Sequence, residues 1–135
     1  MYEINAMSNT VIGVFVDNKL EQAMYERAFE KLEHKVIGYV FSSPEQGLNA
    51  AKIVDFDIVF IETHFWGENF GGVSILDQLK KTSGNQNLIA IAMTPLLQEG
   101  DVEKIIGSGF SMCIEKPLSM ETLQIFCRQS AYSLQ

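Results

Sequence analysis

The stretch "DIVFIETHFWGENFGG" (Asp57–Gly72) runs four apolar residues into a glutamate and then into a loop that is bounded by glycine and rich in aromatic side chains. Asp57–Ile61 shows no polar alternation, which is the pattern of a strand buried on both faces and hence of a parallel sheet with helices above and below. Glu62 stands just past that strand. In such sheets ligands and reactive groups gather beyond the carboxyl ends of the strands, so Glu62 is a candidate site residue if the rest of the chain alternates strand with helix.

It does. Upstream, Val11–Val16 (VIGVFV) is a second buried apolar run, ended by Asp17-Asn18. Leu20, Ala23, Met24, Ala28 and Leu32 then recur at three and four, predicting an amphipathic helix with those residues inward. Lys35–Phe41 predicts the next strand, and Ser43-Pro44-Glu45-Gln46 opens a helix with Ser43 as N-cap, Pro44 in the first turn, and Leu48 and Ala51 on its inner face. Downstream, Val73, Leu76 and Leu79 mark a helix, Asn87–Met93 a strand, and Val102, Ile105 and Ile106 a short helix that Gly107-Ser108-Gly109 terminates. Phe110–Ile114 predicts the last strand, and Ser119 caps a final helix with Leu118 and Leu123 at staple spacing and Leu123, Phe126 and Cys127 inward. Five strands alternating with five helices through short connections require right-handed crossovers. The predicted fold is α/β: a doubly wound five-stranded parallel sheet in a three-layer α/β/α sandwich of the flavodoxin-like kind, spanning 11–135 as one domain, with 1–10 an N-terminal extension.

Composition narrows the function. The 135 residues suffice for one core and not two. A net charge of −7 with no Lys/Arg cluster argues against a nucleic-acid partner. The longest apolar runs fall far short of the ~20 residues of a membrane helix, and the N-terminus lacks the pattern of a signal peptide, so a cytoplasmic protein with no membrane contact is expected. Cys113 and Cys127 are not at metal or redox spacing and read as buried reduced thiols. His34 and His64 read as surface or loop residues. The chain shows no nucleophile elbow, paired histidines or P-loop, so no enzymatic activity is expected.

The residues past the strands are Asp17, Glu62, Thr94 and Lys116. Two carboxylates, a hydroxyl and an ammonium in one crevice are what acyl-phosphate chemistry requires: carboxylates for a hard cation and for the phosphoryl group, hydroxyl and ammonium for its oxygens. With this order, with "VDN" closing the first strand, "DIVFIE", "IAMT" and "EKP", the sequence resembles the receiver domains of two-component response regulators (CheY-like), over roughly Val11–Ser133.

The resemblance implies the same fold and a role in signal transduction through a protein partner, either a histidine kinase or a downstream effector. It also implies departures. The pair of metal-binding carboxylates falls on Val16 and Asp17, leaving Asp17 as a weak magnesium ligand at most, so no tightly held cofactor is expected. The phosphoacceptor position falls on Glu62, Thr94 and Lys116 match the hydroxyl and lysine positions, and the aromatic switch position falls on Cys113. Lys116-Pro117 is expected to be cis by the same resemblance. One extra methylene moves the Glu62 carboxylate by roughly 1.5 Å, and about 1 Å of misplacement costs in-line transfer on the order of a hundredfold. Glu62 is therefore expected to pair with Lys116, mimicking part of a phosphorylated state in a phosphorelay component that no longer switches.

Other readings stay open at this point. The chain could be a phosphorylatable receiver with weak magnesium-dependent acceptor chemistry on Glu62, or a flavodoxin-like ligand carrier, although "VDNKLEQ" lacks a phosphate cradle. Glu62–Lys116 could be a plain structural pair, and Asp17 a carboxylate serving a helix N-terminus. Phe65, Trp66 and Phe70, grouped in one loop, are expected to bind a partner together with the fourth and fifth helices, or else to cover the crevice as a lid. No output domain is expected after the last helix, and the partner is expected on another chain.

Overall fold

Five parallel strands form one sheet in the order β2-β1-β3-β4-β5, with β1 at Thr10–Phe15, β2 at Val36–Phe41, β3 at Ile58–Glu62, β4 at Ile89–Thr94 and β5 at Met112–Glu115. Between them run α1 (Lys19–Lys31), α2 (Pro44–Ala51), α3 (Gly71–Lys80) and α4 (Asp101–Gly107), and a further helix, α5, begins at Met120. This computed structural model describes residues 10–32, 36–64, 71–95, 97–116 and 118–125. The predicted loop residues Phe65, Trp66 and Phe70, the Pro117 bond, His34, and the Phe126 and Cys127 positions lie outside the described residues.

The order 2-1-3-4-5 reverses direction between β1 and β3, so connections leave the two strands to opposite faces and a crevice opens where they part. Strand parity sorts the core accordingly. On one face Phe15, Val59, Ile61, Ala90 and Ala92 pack with Ile75, Leu76 and Leu79 of α3 and Ile105 of α4; on the other, Ile12, Val14, Ile58, Phe60, Ile91 and Met93 pack with Tyr25 and Phe29 of α1 and with Leu118 and Leu123. Successive side chains of a strand point to opposite faces. Glu62 therefore follows Ile58 and Phe60 toward the α1 side, which decides its neighbours.

Local signals place the helix starts. Asn18 caps α1, its side chain accepting from the Glu21 N–H at 3.0 Å. Ser43 caps α2 by accepting from the Gln46 N–H at 3.2 Å, with Pro44 at the first position as expected. Ser119 accepts from the Thr122 N–H at 3.1 Å, and Leu118 and Leu123 are both buried. Strand edges differ from the predicted ones by one or two residues, because the ladder and not the apolar run sets them.

The expected inner face of α1 needs correction. Leu20 is 72% exposed and Met24 43% exposed, Ala23 is exposed as well, and Tyr25 and Phe29 are the buried residues, with Ala28 and Leu32 half-buried. The helix is rotated so that two rings one turn apart enter the core. Gly38 makes room for this: a Cβ there would collide with the Phe29 ring. Among the helix residues flagged by pattern elsewhere, Ile105 is buried, whereas Val102 and Ile106 stand 45% and 42% exposed.

Candidate functional site

At the carboxyl ends of β1, β3 and β5 the Lys116 ammonium donates to Glu62 Oε1 at 2.6 Å and lies 2.8 Å from Glu21 Oε2. The expected Glu62–Lys116 contact is present. Glu21 was not anticipated. It sits three residues past the N-cap of α1, where a glutamate commonly turns back to the cap N–H; here it reaches across to Lys116 instead. That capping spacing, together with the position of α1's first turn above the end of β1, is the signal that could have placed it at the site.

The backbone holds these groups in place. The Lys116 N–H donates to the Thr94 carbonyl at 2.8 Å, and Thr94 pairs in register with Glu115, so the lysine is fixed relative to β4. Thr94 itself is buried. Glu62 ends β3 opposite Met93, and the next residue, Thr63, donates its N–H to the Met93 carbonyl at 2.9 Å. Gly72 lets α3 close on this end of β3, since a Cβ there would sit 2.5 Å from the Glu62 carbonyl oxygen. One turn after Glu21, Tyr25 is buried against Met93, and its hydroxyl accepts from the Leu118 N–H at 3.4 Å. The first turns of α1 thus hold both the Lys116 side chain and the Leu118 main chain. His64, read as a loop residue, places Nδ1 3.0 Å from the Thr63 hydroxyl.

Burial pushes the Glu62 carboxyl above its ordinary pKa; the Lys116 hydrogen bond and charge pull it down, and Asp17 and Glu21 add to the rise. Burial also works against the Lys116 ammonium, but its hydrogen bonds to Glu21 and Glu62 outweigh this and leave its pKa raised. In an isolated pair the carboxylate would fall while the lysine rose. Both rise here because burial outweighs the part of one shared ammonium that reaches Glu62, while Lys116 is served by two carboxylates. Cys113, in the position of the expected switch ring, is half-buried beside the α3–α4 core, and burial raises its thiol pKa.

A divalent cation needs several oxygen ligands. Val16 is fully buried, Glu21 and Glu62 each commit an oxygen to Lys116, and among the described residues no three His, Cys, Asp or Glu side chains converge as a ligand set. As arranged, these residues do not fit magnesium. Two surface concavities of about 640 Å³ lie elsewhere, one between α3 and α4 and one beside Phe29, Gly38 and Tyr39.

The topology matches solved structures over nearly the whole chain. The signal receiver domain of a DNA-binding response regulator from Colwellia psychrerythraea is 26% identical, with a TM-score of 0.76, covering 94% of this chain and 100% of that one. This is the receiver-domain fold. Two further receiver domains are similar at lower identity. The receiver domain of a Pseudomonas aeruginosa sensor histidine kinase, solved with magnesium in its active-site cleft, is 18% identical at TM-score 0.75, covering 93% of this chain and 99% of that one. A Saccharomyces cerevisiae receiver domain, solved with a histidine phosphotransfer protein, is 17% identical at TM-score 0.76, covering 95% and 92%. No family model and no curated protein matches the sequence. Among the described residues, no helix is long and apolar enough to cross a membrane.

Proposed function

We propose that this receiver fold works as a pseudo-receiver: a signal-transduction module that acts through protein contact, with Glu62 at the phosphoacceptor position and no phosphoryl switch. The observation that carries this reading is the 2.6 Å bond between Lys116 and Glu62. The ammonium that would bind a transferred phosphoryl group is already engaged by the chain's own carboxylate. Asp17 completes the acidic pocket without a second metal-binding carboxylate beside it, since its neighbour is the buried Val16, and Thr94 holds the hydroxyl position. Its partner is a protein of a two-component pathway, either a histidine kinase or a downstream effector, met in the cytoplasm. The docking face is formed by Phe65, Trp66 and Phe70 together with the surface of α4 and α5.

The test is incubation with a small acyl-phosphate donor and magnesium, followed by intact-mass measurement. The protein should show no gain of one phosphoryl mass. A stable gain that maps to Glu62 would replace this reading with that of a phosphorylatable receiver.

A further inference from the structure

We infer that Glu21 is the positioning residue that seals this pocket against small oxyanions of the phosphate class, by seating its own carboxylate on the Lys116 ammonium. The inference rests on the proposed reading of the pocket as non-switching, and it assigns the block to a second residue besides Glu62.

Three observations support it. First, Lys116 is held from two elements at once, by Glu62 of β3 at 2.6 Å and Glu21 of α1 at 2.8 Å, so an entering oxyanion meets an ammonium that already has two carboxylate partners. Second, Glu21 is not a drifting surface chain. Its backbone N–H is fixed by the Asn18 cap at 3.0 Å, and Tyr25, one turn on, packs into the core and accepts from the Leu118 N–H. Third, Glu21 Oε1 is buried with no hydrogen-bond partner among the described residues. A carboxylate placed for its own solvation would not leave an oxygen in that state; this one is held by its contact with Lys116.

Charge acts in the same direction. Two carboxylates, Glu21 and Glu62, contact one ammonium, and Asp17 acts on Glu62 in the same sense as Glu21, so the pocket repels an incoming anion. Glu62 alone would leave the charges of the pair balanced. Glu21 tips the pocket to excess negative charge.

The experiment compares the intact protein with Glu21→Gln and Glu26→Gln, using inorganic phosphate as the probe and NMR shifts of the Thr94 and Lys116 amides as the readout. Glu26 is exposed on the same helix and controls for the loss of one charge. Glu21→Gln should bind phosphate at least about tenfold more tightly than either other protein, as loss of a full charge at ion-pair distance implies. Equal affinity in all three proteins, an equal gain in Glu26→Gln, or tight saturable binding by the unaltered protein would each overturn the inference. A second readout needs no phosphate: the Glu62 carboxyl should titrate lower in Glu21→Gln, having lost a repelling neighbour and a rival for Lys116. An unmoved Glu62 titration overturns the inference as well. The proposed function fails separately, through a phosphoryl mass gain on the unaltered protein.

Discussion

Buried polar groups at the two ends of the sheet are handled in opposite ways. At the amino ends of the strands, Asn85 is fully buried and its side chain is matched to main chain: it accepts from the Phe56 N–H at 2.8 Å and donates to the Ala51 and Val54 carbonyls, both at 3.0 Å. Nearby, the Asp57 carboxylate accepts from the Val11 N–H at 2.8 Å. At the carboxyl ends, side chains compete with one another. Glu21 and Glu62 share Lys116, Asp17 presses on Glu62, and one Glu21 oxygen has no partner among the described residues. The first arrangement pins two loops at little cost, because every group has a partner of its own. The second does not maximise stability, since apolar residues of similar size often do as well as a buried ion pair. Conflict of this kind marks a site kept for a task other than folding.

The contrast is broken or sharpened by substitutions at each end. The largest effect belongs to Asn85→Ala, which strands one N–H and two carbonyls away from water. A loss of about 3 to 4 kcal/mol is expected in chemical denaturation, from the cost of leaving buried groups unpaired. A loss below about 1 kcal/mol would mean that water reaches those groups, and the two ends would no longer differ.

Lys116→Met comes next. It leaves Glu21 and Glu62 facing each other without a cation, and about 2 kcal/mol should be lost at neutral pH. This is less than the ~3–5 kcal/mol of a fully sealed pair because all three side chains keep some contact with water. The loss should shrink in acid as the Glu62 carboxyl, already raised by burial, takes up its proton. A pH-independent loss would point to packing instead of charge.

The smallest change in stability is expected for Glu62→Gln, and its signature is the pH profile. The folded state raises the Glu62 pKa, so it binds that proton more readily than the unfolded chain does. Stability from this group is therefore greatest below the ordinary glutamate value and is lost as pH rises through the window up to the folded value. Glu62→Gln should flatten the profile there and also weaken the alkaline limb, since Glu62 is one of the two carboxylates that raise Lys116. On that limb the raised Lys116 contributes stability that is present below the ordinary lysine value and lost as pH climbs through its folded one. Thermal melts across pH check both windows.

Much of the architecture was legible in local chemistry. Ser43-Pro44 and Ser119 are caps whose hydrogen bonds close within one helical turn, so their sequence spacing alone places the helix starts. Buried strands declare themselves by unbroken apolar runs such as Ile58–Ile61, and alternation of runs and helices leads to a doubly wound sheet. Glu62 and Lys116 were found the same way, as the polar residues that end two such runs. The rotation of α1 was not legible. Leu20, Ala23, Met24, Tyr25, Ala28, Phe29 and Leu32 spread apolar character around more than one face, and periodicity cannot choose among them. The choice rests on a partner 68 residues away from Tyr25, the Met93 sulfur, and on the missing Cβ of Gly38 on a neighbouring strand.

By itself, then, the sequence determined which segments are strands, where helices begin, and that an acid and a base close β3 and precede the last helix. Those properties depend on bonds within a few residues and on burial averaged over a run. Only the tertiary structure decided that the acid must share its lysine with a rival and that Glu21 is that rival. Strand parity turns Glu62 toward α1, the Asn18 cap and the seated Tyr25 set the first turn of that helix above it, and the Thr94 carbonyl holds Lys116 between them. Each of these is a contact between parts of the chain remote in sequence, and the charge balance of the pocket follows from their sum.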